Sequence, residues 1–297
     1  MTSRRIGGRS IELSNQDKIL FPGDDITKGD IVAYYDAIAP RILPFLEGRP
    51  LVVERFPDGI AAGGFFQKQA SPHTPEWVRT LRVRKQGGFQ SLVVCDDRAT
   101  LVWLANQAAI VLHPWLSRAE SIDRPDVFIV DLDPPSGAFA QARNVALSLK
   151  RLFDELDVPV FLKTTGSKGL HLLVPLRGTE DFDTVRGVGH SLMQVLASRH
   201  PDLVTTEVRK EKRKGRVYLD IARNAYAQTA VAPYSVRALE CAPVSTPIAW
   251  QELRSPRIDA RRWTIETAAA HATKDPWAGW RRRRCSMSAI AKKLAAC

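Results

Sequence analysis

The chain has little cysteine, no long apolar run and no repeated or low-complexity segment. Cys95, Cys241, Cys285 and Cys297 form no Cys-x-x-Cys pair and have no histidine at ligand spacing. This pattern indicates neither a structural zinc site nor a disulfide framework. No stretch approaches the roughly eighteen apolar residues of a membrane span, and the N-terminus lacks the apolar core of a signal peptide. These absences predict a cytoplasmic protein with reduced thiols.

The charge, by contrast, is strongly one-sided. Lysine and arginine together number 43 and aspartate and glutamate 32, so the formal net charge is 43 − 32 = +11. A surplus of this size indicates a polyanionic partner, with nucleic acid the first candidate and an anionic membrane the second.

The hydrophobic pattern predicts a mixed α/β fold, in which sheets and helices pack as layers. Helices are predicted at residues 28–46, with Thr27 as N-cap and Pro40 as a candidate break, and at 139–156 and 182–199. Short apolar segments predict strands at 51–55, 91–95, 127–131, 160–164, 170–175 and 217–221.

Asp131 and Asp133 end the apolar strand that begins at Val127, and Pro134 and Pro135 follow them. Alternate residues of a strand share a face, so the two carboxylates would lie side by side. Neighbouring like charges repel unless a cation lies between them, and carboxylate oxygen suits Mg²⁺ and Mn²⁺. The alternative is a turn with two solvated aspartates, because a motif this short often occurs without function.

A turn rich in small and polar residues, Lys163-Thr-Thr-Gly-Ser-Lys-Gly-Leu-His171, joins two predicted strands. Glycine lets backbone N–H groups approach an anion, and the hydroxyls and Lys168 add donors and charge, which suits a triphosphate. The spacing differs from that of the Walker A loop, and a strand follows in place of a helix. His171 is either a functional residue or a satisfied structural histidine.

Asp220 is an acid within the apolar strand that begins at Val217. It either forms an ion pair with Arg216 or Arg223, or completes a triad with Asp131 and Asp133. Three carboxylates can bridge two divalent ions, the arrangement that polymerases and many nucleases use at phosphorus.

Six segments together resemble the polymerase domain of bacterial ligase D, a branch of the archaeo-eukaryotic primase superfamily that acts in end joining of DNA breaks. They run in the family's order over nearly the whole chain: 65–68 (FFQK), 110–115 (IVLHPW), 131–135 (DLDPP), 163–171 (KTTGSKGLH), 218–220 (YLD) and 231–238 (VAPYSVRA). The resemblance implies a single domain over 1–297 with a primase-type catalytic core, a mixed sheet with flanking helices and an N-terminal second sheet. Its expected parts are 1–120 for 5′-phosphate and template contacts, 121–242 for the metal core and 243–297 as a helical extension.

The resemblance also implies roles for individual residues. Asp131, Asp133 and Asp220 would be catalytic and hold two Mn²⁺ or Mg²⁺ ions. The residues expected at the nucleoside triphosphate are His113, Thr165, Ser167, Lys168, His171, Arg223 and Arg237. Thr165 stands where the family has serine. Glu54 stands where some members carry lysine, which inverts the local charge, and no role is assigned to it.

For DNA, the resemblance implies that Asn15, Lys18 and Lys28 bind the 5′-phosphate at a break or gap, with ordinary surface lysines as the alternative. Phe65, Phe66 and Lys68 fall at the family's template contacts. Adjacent strand residues point to opposite faces, so one phenylalanine is expected in the core and the other under a base.

Two basic segments are less specific. Residues 209–216 (RKEKRKGR) predict a loop beside the Asp220 strand, and contact with nucleic acid is favoured over a solvated hairpin. The run 281–284 (RRRR) either extends the DNA footprint or belongs to a solvated end.

The sequence thus predicts a cytoplasmic, nucleoid-associated nucleotidyltransferase that extends a primer 3′ hydroxyl, with the ribonucleotide preference implied only by the resemblance. A metal-dependent nuclease could use the same carboxylates but needs no triphosphate site. A non-catalytic module that binds DNA ends would need no metal carboxylates. The chain shows no nucleotidyl-lysine motif of a ligase, so Ku and an ATP-dependent ligase would act in trans.

Overall fold

A computed structural model describes residues 2–135 and 137–295, and Cys297 lies outside these ranges. Two compact units divide the chain, each built from three separate stretches. The first unit comprises residues 1–115, 229–246 and 263–274, and the second comprises 116–228, 247–262 and 275–297. The consecutive parts predicted from the sequence, 1–120, 121–242 and 243–297, follow a different division of the chain.

Helices and strands alternate along the chain, and the predicted mixed α/β class is confirmed. The helices are α1 (Lys28–Leu46), α2 (Arg98–Asn106), α3 (Phe139–Glu155), α4 (Phe182–Arg199), α5 (Trp250–Leu253), α6 (Ala268–Ala272) and α7 (Met287–Ala295). The strands are β1 (Thr2–Ile6), β2 (Arg9–Leu13), β3 (Ile19–Phe21), β4 (Ile26–Thr27), β5 (Pro50–Arg55), β6 (Phe65–Gln67), β7 (Thr80–Lys85), β8 (Gly88–Val94), β9 (Ala109–Pro114), β10 (Val127–Asp133), β11 (Phe161–Thr164), β12 (Leu170–Pro175), β13 (Val204–Thr205), β14 (Val217–Asp220) and β15 (Pro247–Ile248). Among the described residues, no helix has the length and apolar character needed to cross a membrane.

In the first unit, α1 begins where the sequence predicts because its first turn is capped. The Thr27 hydroxyl accepts the N–H of Asp30, and the Asp30 carboxylate accepts the N–H of Thr27. The predicted break at Pro40 is wrong, since the helix continues to Leu46. The buried apolar face that includes Tyr35 offsets the roughly 3 kcal/mol that an internal proline typically costs.

The sheet of the first unit is built around β5, which pairs with β6, β8 and β9, while β7 pairs with β8. Glu54 on β5 lies opposite Phe66 on β6 and Val111 on β9. This register brings together side chains from three strands that are distant in the sequence.

The sheet of the second unit has the strand order β13-β14-β10-β12-β11-β15, so β10 lies between β14 and β12. Leu132 on β10 faces away from the aspartates that flank it and is buried, as are Val145 and Phe153 of α3. At Gly189 of α4, a Cβ atom would meet the Phe128 ring at 2.5 Å, which shows how closely this helix packs on β10. The buried face therefore fixes the direction in which the carboxylates point.

Candidate active site

The register of the second sheet brings the three predicted aspartates together. Asp131 on β10 lies opposite Asp220 on β14 and opposite His171 on β12, and Asp133 lies opposite Tyr218. Directly paired residues and alternate residues of one strand share a face. Asp131, Asp133 and Asp220 therefore project from the same face of the sheet.

Each of these carboxylates has a neighbour of its own. Asp131 lies 3.4 Å from His171 Nε2, Asp133 accepts a hydrogen bond from Arg213 at 3.2 Å, and Asp220 accepts the N–H of Ala222 at 2.7 Å. Within residues 2–135 and 137–295, no three His, Cys, Asp or Glu side chains converge as a ready-made metal site. A cation bound by all three aspartates would compete with Arg213 for the charge of Asp133.

The pKa shifts reveal the charge crowding at this face. Burial raises the pKa of Asp220, and the charges of Asp131 and Asp133 raise it further. Burial alone would also raise the pKa of Asp131, but His171, then Lys163 and Arg223, hold it below its usual range. Three carboxylates on one face, two of which raise the pKa of the third, are a donor set that fits a divalent cation.

Lys163 is a functional candidate to which sequence analysis gave no role. It lies opposite His171 on the neighbouring strand, its side chain is fully buried, and its charge lowers the pKa of Asp131. A lysine inside an otherwise apolar strand was the available signal, because lysine is rarely buried without a charged neighbour.

The turn after β11 is organised by Thr165. Its hydroxyl oxygen accepts the N–H groups of Ser167, Lys168 and Gly169 at 3.1–3.2 Å and donates to the carbonyl of Gly169 at 3.1 Å. The threonine thus holds the turn in shape, while the Lys168 side chain is exposed. The carbonyl of Ser167 accepts a hydrogen bond from Arg261.

Gly169 joins this turn to the carboxylate strand. A Cβ atom at this position would lie 2.1 Å from the carbonyl oxygen of Leu132. Any larger residue would displace the turn from the end of β10, so the glycine allows the predicted phosphate-binding turn to approach Asp131 and Asp133.

The predicted basic loop contributes Arg213, which sequence analysis did not single out. Besides contacting Asp133, its guanidinium lies over the Tyr218 ring at 4.0 Å and donates to the carbonyls of Glu207 and Val208. One arginine of the loop is therefore bound to a candidate metal ligand, a contact that composition alone cannot specify.

Asn224 is a third residue whose role the sequence did not reveal. Its fully buried amide accepts the N–H of Ile129 at 2.8 Å and donates to the carbonyls of Ile129 and Ile221. The side chain fastens the chain after β14 to β10, and so maintains the spacing between Asp220 and Asp131. Neighbouring Arg223 is exposed, and its charge acts on both aspartates.

The first unit holds the remaining predicted nucleotide residues. His113 Nε2 lies 2.6 Å from the Glu54 carboxylate, and the Phe66 ring centroid lies 5.8 Å from that of His113. Burial alone would raise the pKa of Glu54, but His113 and then Arg237 lower it below its usual range. Glu54 thus pairs with His113 and feels the charge of Arg237, a role that the inverted charge in the sequence did not suggest.

The predicted template contacts lie on β6. Phe65 and Phe66 are 51% and 59% exposed, and Lys68 is exposed. The expectation that one phenylalanine belongs to the core is wrong, because β6 is a short strand at the end of the strand order and both rings reach solvent. Arg55 lies 5.8 Å from the centroid of the Phe65 ring.

The predicted phosphate-binding residues also lie together in the first unit. The carbonyl of Asn15 accepts the N–H of Lys18, and the carbonyl of Lys18 accepts the N–H of Lys28. The Lys28 side chain is buried and donates to the carbonyl of Asn106 at 3.1 Å, whereas Lys18 pairs with Asp58 at 2.7 Å. Burial, and then the charge of Lys18, lower the pKa of Lys28, as expected for two neighbouring ammonium groups.

Comparison with known proteins relates this arrangement to a family. The family model described as the LigD primase-polymerase domain matches residues 27–277 of the sequence. The chain is 34% identical over 251 residues to the multifunctional non-homologous end joining protein LigD of Mycolicibacterium smegmatis, covering 84% of this chain and 33% of that protein. It is 33% identical over 259 residues to the bifunctional LigD of Bacillus subtilis, covering 86% of this chain and 41% of that protein.

A solved structure agrees with these sequence matches. The polymerase domain of Mycobacterium tuberculosis ligase D, determined in complex with DNA, superimposes with a TM-score of 0.84 at 32% identity, covering 91% of this chain and 97% of that domain. The chain spans between 33% and 41% of the length of the curated relatives named above. The chain belongs to the LigD primase-polymerase domain family.

Proposed function

We propose that this protein is a template-directed nucleotidyltransferase that extends a primer 3′ hydroxyl at DNA gaps and ends during bacterial non-homologous end joining. The observation that carries the proposal is the strand register, in which Asp131, Asp133 and Asp220 share one face beside the Thr165–Gly169 turn. Family membership and the DNA-bound relative support it. A nuclease or a binding module has no comparable use for the turn and the carboxylates together.

Asp131, Asp133 and Asp220 would hold two Mn²⁺ or Mg²⁺ ions. When bound, such ions lower the pKa of an attacking hydroxyl and stabilise the charge that develops in displacement at phosphorus. His171, which lies 3.4 Å from Asp131, and Lys163 favour the ionised form of Asp131, since both lower its pKa. Asn224 keeps Asp220 in register with Asp131.

Cationic and hydroxyl groups of the second unit would bind the nucleoside triphosphate. In the second unit, Lys168 and Arg223 present exposed charges, and Thr165 shapes the turn that carries Ser167 and Lys168. In the first unit, His113 and Arg237 are proposed nucleotide contacts, with Glu54 holding His113 in place. We assign a preference for ribonucleotides on the strength of the family resemblance.

DNA would be bound by the first unit through two features. Asn15, Lys18 and Lys28 suit a terminal 5′-phosphate, whose two charges would relieve the repulsion between the lysines. Phe65 and Phe66 offer exposed rings for base stacking, with Lys68 beside them for backbone phosphate. Ku and an ATP-dependent ligase are the proposed partners in trans.

Extension of a labelled primer tests this proposal. The substrate is a gapped duplex with a downstream 5′-phosphate, incubated with Mn²⁺ and either ribo- or deoxynucleoside triphosphates. We expect templated addition by the wild type, faster with ribonucleotides, and none by Asp133→Ala. Asp183→Ala, which removes an exposed carboxylate at the start of α4, serves as the matched control and should leave extension unchanged. Shortening of the primer would indicate a nuclease, and binding without any product would indicate a recruitment module.

A further inference from the structure

A large groove opens in the second unit, separate from the carboxylate face. Its volume is about 1350 Å³, and its walls are the C-terminal half of α3, the start of β11, α5 and the segment 276–286 that leads into α7. Arg177 of the groove lies just beyond Pro175, the last residue of β12, whereas His171 lies near the first. Pro175 and His171 are four positions apart along β12, so their backbones are separated by about 13 Å.

Most of the charged side chains that line this groove are arginines. Six exposed arginines from four parts of the chain line it: Arg151, Arg177, Arg254, Arg282, Arg283 and Arg284. Among the described residues, none of their guanidinium groups forms an ion pair. Three arginines of the run at 281–284, Arg282 to Arg284, are thus part of a larger cationic surface.

The acids in the groove do not offset these arginines. Asp154 pairs with Lys150, and Asp157 lies 3.3 Å from Lys293. The lining therefore carries eight cationic and two acidic side chains, a formal charge of 8 − 2 = +6. Six like charges that lack partners repel one another, and a polyanion in the groove would relieve that repulsion.

The volume of the groove and the aromatic residue Trp250 indicate which class of ligand fits it. The volume exceeds the roughly 300–1,000 Å³ of typical small-molecule pockets, which favours an extended ligand. Trp250 is partly exposed beside the arginines, with its indole N–H fixed by the carbonyl of Val160 at 3.0 Å. A fixed indole face next to cations is the combination that binds single-stranded nucleic acid, by stacking and phosphate contact.

We propose that this groove binds a single-stranded segment of nucleic acid, with the arginines on its phosphates and Trp250 under a base. Guanidinium groups suit this role because they contact phosphate in a bidentate manner. The inference that the groove binds single-stranded nucleic acid does not depend on the proposed function. Only the identification of that strand as one flanking the DNA under repair rests on the proposed function.

The test is fluorescence anisotropy with a labelled thymidine oligonucleotide that lacks a 5′-phosphate, without metal or nucleoside triphosphate. The main variant is R282Q/R283Q/R284Q. Its control, R5Q/R84Q/K85Q, removes the same charge from exposed positions of the first unit. If each arginine contacts one phosphate, the main variant should bind roughly 100-fold more weakly at 0.1 M salt, and the salt slope should fall by about 2.

A second variant, R151Q/R254Q, removes two arginines from other walls of the groove and should also weaken binding. It keeps the test valid if the triple variant unfolds, which circular dichroism would reveal. An oligonucleotide with 5-iododeoxyuridine should cross-link to Trp250, located by mass spectrometry of the peptides. If R282Q/R283Q/R284Q and R151Q/R254Q are both folded and bind the oligonucleotide with wild-type affinity, the proposal is overturned. Binding of polyglutamate without binding of the oligonucleotide would also overturn it.

These outcomes are independent of polymerase activity. Asp133→Ala should bind the oligonucleotide as the wild type does, because Asp133 does not line the groove. Failure of primer extension with intact groove binding would contradict the proposed function alone. Intact extension with unaltered binding in the arginine variants would contradict only the proposal for the groove.

Discussion

Replacing Arg213 with glutamine should strengthen binding of a divalent cation. Arg213 donates to one carboxylate oxygen of Asp133 at 3.2 Å, so the guanidinium competes with a cation for that carboxylate. The Asp133 side chain is 45% exposed and that of Arg213 14%, so solvent screens the pair in part. A partly exposed ion pair of this kind contributes about 1 kcal/mol, which corresponds to roughly fivefold tighter metal binding in R213Q.

The assay is titration of Mn²⁺ followed by electron paramagnetic resonance of the free ion, without DNA or nucleotide. Lys210→Gln is the matched control, because it removes one positive charge from the same loop without a contact to Asp133. Affinity that stays unchanged or falls in R213Q would refute the competition between arginine and cation. An equal gain in Lys210→Gln would attribute the effect to long-range charge alone.

Three further predictions concern residues that hold neighbouring segments of the second unit together. Asn224→Ala should lower the free energy of unfolding by about 3 kcal/mol in denaturant titration, because the N–H and carbonyl of Ile129 lose their buried partner; a loss below the error of the titration would contradict the role of this amide. Gly169→Ala should abolish primer extension while the protein stays folded by circular dichroism, since its methyl group would overlap the Leu132 carbonyl; full extension would contradict the tight packing. Burial alone would raise the pKa of Glu180, but hydrogen bonds from Ser286, Thr179 and Ser288 lower it to about 2. The resulting stability is present above the ordinary glutamate pKa of about 4.3 and is lost as the pH falls through the folded value. Glu180→Gln should therefore reduce stability at pH 7 by about 1 kcal/mol, and thermal melts of variant and wild type should converge at acidic pH. Equal melting temperatures at pH 7 would contradict this role of Glu180.

The elements that carry the carboxylates could be predicted because their sequence patterns are strong. β12 has its predicted bounds, and the predicted strand over 127–131 extends to Asp133 in the structure. Both are buried apolar runs bounded by turn residues, the clearest local signal for a strand. α4 also matches its predicted bounds, with Asp181 as a cap that accepts the N–H of Thr184.

Strands with exposed side chains were not predicted. β7 (Thr80–Lys85) is mostly exposed and carries Arg82 and Arg84 at alternate positions, and β6 has three residues with two exposed phenylalanines. Their pairing is set by backbone hydrogen bonds to neighbouring strands, which hydrophobic patterning does not register.

Long-range contacts account for the rest of what the sequence could not predict. Residues 229–246 belong to the first unit, where the Tyr35 hydroxyl donates to the carbonyl of Ile110 at 2.6 Å and accepts the N–H of Val236 at 3.1 Å. In the same way, the motifs identified Asp133 and the basic loop, but only the fold pairs Arg213 with Asp133. Such pairings depend on which surfaces the fold brings together.

Asp131, Asp133 and Asp220 are proposed to support nucleotidyl transfer together. The most direct measurement is the single-turnover rate of ribonucleotide addition by Asp220→Asn on a gapped duplex with Mn²⁺, beside wild type and Asp183→Asn. Asparagine keeps the size of the side chain and removes the charge. We expect a rate at least roughly a thousandfold lower in Asp220→Asn, because a metal ligand supplies several kcal/mol of transition-state stabilisation, and a wild-type rate in the control. A rate within a few-fold of wild type in Asp220→Asn would contradict the joint role of the three carboxylates in nucleotidyl transfer.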